Sequence, residues 1–257
     1  MSEFCILRIK KLKTDQNISS CLAHHLRTRE TPNADPDRVK KNWYYPANET
    51  QQANLSSLEN RQKIHRQALA IYRRELPEKI RKNAVRAVEF MMTVSPEVAQ
   101  KKDFDTGKFL GACNAWVRKK FGTENVFFTA VHRDETTPHV SALILPKDEN
   151  GKLNARKFFG GREKMQALQD EFYQEVGKPF GLERGVKGSR AKHQTVKKFY
   201  AKLDETKKEL EKYNVLNFSA EKLRKLASAK AYAEEQERQN QTKNKPKRQQ
   251  KSDAWER

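Results

Sequence analysis

Cysteine, acid and long apolar runs are all scarce in this chain. The three cysteines, Cys5, Cys21 and Cys113, are odd in number and widely spaced, with no CxxC pair. That argues against a disulfide framework and fits reduced, mostly buried thiols in a cytoplasmic protein. No apolar stretch approaches membrane-spanning length, and Met1-Ser2-Glu3 leads straight into a strand-like run rather than a signal peptide. Hydrophobic residues make up 36% against 33% charged, so 257 residues allow one compact core, with room for an appendage. Acid is outnumbered: 33 Asp+Glu face 53 Lys+Arg, for a formal charge of +20. An excess of that size favours a polyanionic partner, nucleic acid first. Residues 190–257 hold 19 Lys+Arg against 10 Asp+Glu, so the basic character is shared between this stretch and the rest.

Phe4 to Ile9 reads as a strand, Ser19 to Leu26 as a short helix, and Thr31-Pro32-Asn33-Ala34-Asp35-Pro36 as irregular backbone. Gln51 to Glu75 lacks glycine and proline and reads as one helix. Val85–Val94 reads as a strand and Thr106–Phe121 as a helix with Phe109, Cys113 and Trp116 on one face. Val126–His132 and Pro138–Leu145 are strands separated by a gap of hairpin length. Arg162 to Val176 is a further amphipathic helix. The expected class is α+β: one antiparallel sheet with helices packed on one face, a two-layer sandwich, followed by a helical extension. The expected divisions are a domain over 1–195, a basic helical extension over 196–240 and a disordered basic tail over 241–257.

The richest chemistry lies in His132-Arg133-Asp134-Glu135-Thr136-Thr137-Pro138-His139-Val140-Ser141. Side chains alternate along a strand at roughly 3.3 Å per residue, so His139 and Ser141 share one face. An antiparallel hairpin returns His132 to the side of His139, and Glu135 in the loop can fold over the same spot. Two imidazoles and a carboxylate suit a divalent cation with open positions for water or phosphate. Asp134 either ligates or orients an imidazole from behind. The plainer alternative is a solvated turn with two strand-end histidines.

Upstream, Cys21-Leu22-Ala23-His24-His25-Leu26-Arg27 places His24 and Arg27 on one helical face. Histidine there can serve as nucleophile or base, with arginine holding a phosphate; His25 points elsewhere on this reading and is structural. Asn42-Trp43-Tyr44-Tyr45 follows a basic run and offers aromatics for base stacking, or equally a buried loop anchor. Phe127-Phe128 is the one local aromatic pair for an RNA-binding sheet.

Taken together, these segments resemble the plasmid mobilisation/recombination relaxases, the Mob/Pre (MobV-type) family of single-strand DNA nickases. The family pattern His-x-Asp-Glu, a short gap, then Pro-His is met by His132, Asp134, Glu135, Pro138 and His139. Its amino-terminal pattern is met by His24, Arg27 and Thr31 to Pro36. Gly151 to Ala155, Gly160-Gly161-Arg162, Leu168-Gln169-Asp170, Gly181 to Gly185 and Gly188 to His193 also look like the family, over roughly residues 1–195.

The resemblance implies an HUH-type relaxase that binds an origin-of-transfer hairpin and nicks one strand with Mn²⁺ or Mg²⁺. Such enzymes stay attached to the 5′ phosphate. For the carboxyl-terminal helices three roles stay open: dimerising, touching DNA or meeting a conjugative coupling protein. Carried over, His24 is the nucleophile that forms a phosphoramidate, Arg27 steadies the phosphate, and His132, Glu135 and His139 hold the metal. Arg27, Asn42, Trp43, Tyr44 and Phe121 become the DNA contacts. One departure stands out: Ser141 occupies the place of the family's final histidine. The alternative is therefore an origin-binding protein on the same scaffold whose cutting is impaired.

Overall fold

The computed structural model describes residues 3–185. The expected helical extension over 196–240, the expected tail over 241–257 and Gly188 to His193 lie outside the described residues. In chain order the elements are β1 (Phe4–Leu12), α1 (Asp15–His25), a 3-10 turn (Pro36–Lys41), β2 (Trp43–Tyr45), α2 (Glu49–Ala53), α3 (Leu58–Glu75) and β3 (Ala87–Val94). Then come α4 (Pro96–Ala99), α5 (Thr106–Phe121), β4 (Val126–His132), β5 (His139–Ile144), α6 (Ala155–Phe159), α7 (Arg162–Phe172) and β6 (Glu183–Arg184). The strands form a six-stranded sheet in the order β2-β4-β5-β3-β1-β6. Every pairing is antiparallel except β1 with β6.

Alternate residues of the central strands feed two separate cores. Val88, Phe90, Met92 and Val94 of β3 point one way with Val140, Ala142 and Ile144 of β5. There they meet Phe109, Trp116 and Phe121 of α5, Phe159 of α6 and Phe172 of α7. Phe128 and Ala130 of β4 and Leu143 of β5 point the other way, onto Ile18 and Leu22 of α1 and Ile64, Ala68 and Tyr72 of α3. The antiparallel α+β class is as read from the sequence, but the helices expected on one face cover both. The reason is visible in β4 and β5, which are buried along nearly their whole lengths instead of alternating apolar with polar. Near-continuous apolar strands are the pattern of a sheet covered twice.

The helix expected over Gln51–Glu75 is broken into α2 and α3. Asn48 caps α2 and Ser57 caps α3, its hydroxyl accepting from the Asn60 N–H at 3.2 Å. Asn and Ser side chains compete with the helical ladder for backbone groups, which explains the interruption between them. Helix α1 starts earlier than expected, at Thr14, whose hydroxyl accepts from the Asn17 N–H. Among the described residues no helix is long and apolar enough to cross a membrane.

Candidate active site

The hairpin pairs His132 directly with His139, and His139 with Thr93 of β3. Paired residues share a face, so both imidazoles lie on the α1 side, their ring centres 4.9 Å apart. Ser141 follows on that face between Ala130 and Met91, and Glu89 belongs to it one strand over. The carboxyl end of α1 runs onto this patch and stops there, because Arg27 turns the chain at φ +53°. A non-glycine residue in the left-handed region costs roughly 1–2 kcal/mol.

What holds Arg27 in that conformation is its guanidinium. Nε and Nη2 donate to the two oxygens of Asp134 at 2.8 and 2.9 Å, and Nη2 also reaches Glu135 Oε1 at 2.7 Å. Nη1 donates to the His24 carbonyl at 2.9 Å, closing the end of the helix. Burial alone would raise the Asp134 pKa, but the hydrogen bonds and charge of Arg27 hold it far below the carboxylate range. With two carboxylates on one guanidinium, Arg27 as folded is a clamp between α1 and the hairpin. It does not stand as a free cation, as the expectation of a phosphate holder requires. The second oxygen of Glu135 accepts from Asn33 at 2.6 Å, and Asp35 N–H donates to the Asp134 carbonyl at 2.8 Å. The proline-rich loop therefore fixes the turn that carries both acids.

His25, expected to point away, is the histidine that meets the hairpin. Arg27 Nη2 lies 3.1 Å from His132 Nδ1, and a guanidinium can only donate. His132 Nδ1 is thus the acceptor and Nε2 carries the proton, which it gives to His25 Nδ1 across 3.2 Å. His25 Nε2–H in turn donates to Glu89 Oε1 at 2.8 Å. The tautomers follow from this network of bonds. Burial pushes the His132 pKa well below its usual value. Burial would raise Glu89, but the hydrogen bond from His25, with help from Lys10 and the Cys21 thiol, brings it down to about 2.

His24 sits one residue back, half-buried, its ring 5.4 Å from that of His25. It borders a cavity of about 330 Å³ shared with Lys10, Lys11, Cys21, Arg29 and Glu89. Burial, then the basic neighbours His25, Arg27 and Arg29, pushes its pKa down to about 3, so the imidazole is neutral throughout the physiological range. The two sequence-marked regions thus share one face of the sheet, joined by His25 and Arg27.

The donors for a divalent ion are unequal. His139 Nδ1 lies 3.1 Å from the Thr137 carbonyl and donates to it, which leaves the Nε2 lone pair for a ligand. Ser141 is buried and its Oγ has no hydrogen-bond partner, the kind of orphan that a bound water or ion resolves. Glu135 retains lone pairs beyond the two it commits. His132 has both ring nitrogens engaged and joins only if its bond to His25 is released. This set fits a hard divalent ion that keeps several water or phosphate oxygens.

Of the expected DNA contacts, Trp43 alone lies open, 39% exposed on the edge strand β2. Phe121 is buried among Phe90, Trp116 and Phe159 and is a core residue. Tyr44 is fully buried, stacked on Phe128 and edge-on to His132. Asn42 is buried too: it donates to the Tyr44 hydroxyl and accepts from the Arg133 N–H at 2.7 Å, anchoring the start of the turn. These three are corrected to framework residues. Phe127 and Phe128 are wholly buried and present no stacking surface. Three participants escape the sequence reading: His25, Glu89 and Asn33. His25 had a signal, because Ile18, Cys21, Leu22 and His25 follow the helical apolar stripe. Glu89 had another, as the one charge in the apolar strand β3.

Residues 1–201 match the model of the family described as plasmid recombination enzyme (Mob_Pre). A 65 kDa protein of Zymomonas mobilis is 34% identical over 210 residues, covering 80% of this chain and 34% of that protein. A plasmid recombination enzyme type 3 of Staphylococcus aureus is 26% identical over 206 residues, covering 78% of this chain and 48% of its own. The chain thus spans about a third to a half of the length of these relatives. Among solved structures, the manganese-bound MobM relaxase domain in complex with plasmid pMV158 oriT DNA is similar at a TM-score of 0.60 and 25% identity. The match covers 77% of this chain and 98% of that domain. With the family model matched over most of its length, the chain belongs to the plasmid recombination enzyme family, Mob/Pre.

Proposed function

We propose that this chain is a plasmid relaxase domain that binds single-stranded or hairpin DNA at an origin of transfer and cuts and rejoins one strand through His24. One observation carries the reading. The end of α1 that bears His24 is clamped to the His132–His139 hairpin by Arg27, which bonds Asp134 and Glu135. His24 and the donors that would hold a phosphate-binding ion thus serve one shared face, where a single phosphodiester would meet both. The MobM domain's capture with manganese and oriT DNA supports the same assignment by kinship.

In this mechanism the neutral His24 imidazole needs no base before it attacks phosphorus. The N–P bond forms as the P–O3′ bond breaks; the departing 3′ oxygen takes a proton from water, and the hydroxide left behind takes the remaining ring N–H proton. The phosphoramidate keeps the 5′ end attached for rejoining. Lys10, Lys11 and Arg29 around the His24 cavity draw in the phosphate backbone. Arg27 and Asn33 orient Glu135, and Asp134 holds Arg27 in place. His139, Ser141 and Glu135 would hold Mn²⁺ or Mg²⁺, with His132 as a further donor. Such an ion supplies charge neutralisation at the non-bridging phosphate oxygens.

The test incubates the protein with labelled single-stranded origin oligonucleotides and Mn²⁺, then resolves the products under denaturing conditions. A covalent adduct is expected from the wild type, and His24→Ala should abolish it while specific binding survives. Equal loss of binding and adduct would make His24 architectural. A second reading, an origin-binding protein that does not cut, is favoured by Ser141 and by the engagement of both His132 nitrogens. It prevails if the parent never forms an adduct and Ser141→His does. A coupling protein as further partner and a cytoplasmic setting accompany the relaxase reading.

A further inference from the structure

We propose that Cys21, His25 and Glu89 form a second metal site, separate from the hairpin, for a thiophilic divalent ion of the Zn²⁺ class. Cys21 and His25 stand four residues apart on α1 and so share a face, which is turned toward Glu89 on β3. One ligand atom from each of the three lies within 4.8 Å of the other two. A thiolate, an imidazole and a carboxylate together are a Zn²⁺-type donor set, and three protein ligands leave one position open. The cavity bordered by Cys21, Glu89, Lys10, His24 and Arg29 gives that position access to water or an anion. None of the hairpin donors His132, Glu135 or His139 is used.

Without metal, protons fill the place of the ion. The Cys21 thiol and His25 Nε2–H both serve the Glu89 carboxylate. Metal binding releases the thiol proton to solvent and moves the imidazole protons one nitrogen along. His25 then carries Nδ1–H and donates to His132 Nε2. The proton of His132 passes to Nδ1, which then gives up its 3.1 Å contact with Arg27 Nη2 and turns to Asp134 Oδ1, 3.6 Å away before metal binds. A ligating histidine whose other N–H is held by a further acceptor is the usual arrangement in metal sites. This binding also keeps the His132 Nε2 lone pair from an ion at the hairpin, so the two sites compete. The remaining thiols, Cys5 and Cys113, are buried in the core on the opposite face of the sheet, so a thiolate signal reports Cys21.

The experiment titrates the metal-free full chain with Co²⁺ and follows thiolate-to-cobalt charge-transfer absorption in the near ultraviolet, then competes with Zn²⁺. A saturable band that Zn²⁺ removes is expected. Cys21→Ser should eliminate it, and Glu89→Gln should weaken Co²⁺ affinity by roughly 10–100-fold. His139→Ala should leave it intact. Absence of a thiolate band, or a band that survives Cys21→Ser, overturns the site. Cobalt binding without thiolate absorption that His139→Ala abolishes gives the ion to the hairpin and also overturns it. Should Cys21→Ser fail to fold, Zn²⁺ should still shield Cys21 of the wild type from alkylation, read by mass spectrometry. Unchanged labelling counts against the proposal.

Discussion

The two faces of the sheet are built from the same strands and differ in what they bury. Under α5, α6 and α7 the interior is aliphatic and aromatic, with Phe90, Trp116, Phe121 and Phe159 in mutual contact. Beneath α1 and α3 the interior begins the same way, around Tyr72 and Phe127, but ends in His25, Arg27, His132, Asp134 and Ser141. One face is held by burial, which tolerates any apolar filler of the right volume. The other ends in charges that are stable only while each keeps its partner. The first face therefore contributes stability alone, while the second couples stability to the proposed chemistry.

The largest effect that separates them falls on Asp134. Asp134→Ala leaves the Arg27 guanidinium buried without its bidentate acceptor, and breaking such a pair costs about 3–5 kcal/mol. Urea unfolding should show that loss, and no DNA adduct should form at temperatures where the variant is still folded. Phe121→Ala should cost a similar amount, about 3–5 kcal/mol from the cavity it leaves. Its DNA affinity per folded molecule should be unchanged. A selective loss of DNA binding in Phe121→Ala would return Phe121 to the interface and erase the contrast between the faces.

This contrast explains what the sequence could and could not convey. The bounds of α5 and β4 are as read, because an apolar stripe at helical spacing and a run of β-formers are local properties. The pairing of His132 with His139 was legible from the gap between two strands. Helix α3 over the inner half of the hairpin was not, since which strands are covered twice depends on elements far away in the chain. Nor was the choice between His24 and His25. The helical spacing paired His24 with Arg27 and set His25 aside as structural, although Ile18, Cys21 and Leu22 put His25 in phase with the buried stripe. Arg27 looked like a phosphate ligand because nothing local shows that Asp134 and Glu135 will fold back onto it. Tyr44 and Phe121 looked like DNA contacts for the same reason, as burial is a tertiary property.

A smaller effect comes from pH. The folded pKa of His24, about 3, lies below its ordinary 6.5. The unfolded chain therefore binds the proton more readily, and stability is lost as pH falls from about 6.5 toward 3. Glu89 acts in the same direction lower down, losing its contribution as pH falls from 4.5 toward about 2. His24→Ala should flatten the upper part of the acid-stability curve measured by denaturant titration. Adduct formation by the wild type should stay level from pH 7 to pH 5.5, because the nucleophile remains unprotonated. A rate that halves near pH 6.5 would mean that His24 titrates like a solvated histidine and that its surroundings do not set its charge.

Trp43 gives the smallest change in stability and the cleanest separation of the two roles. It lies open on the edge strand, paired with Val131 one residue before His132, so a base stacked on it would be led toward the hairpin. Replacing an exposed side chain away from the core should move stability by less than about 0.5 kcal/mol. Loss of one base stack should cost about 1–3 kcal/mol of DNA binding. Trp43→Phe, which keeps a ring, should recover most of that, while Trp43→Leu should not. Phosphate contacts are separate from stacking, so the slope of affinity against salt should be the same in all three variants. If Trp43→Ala changes the salt slope and Trp43→Phe fails to rescue, then β2 contributes shape to the interface and the aromatic ring is incidental.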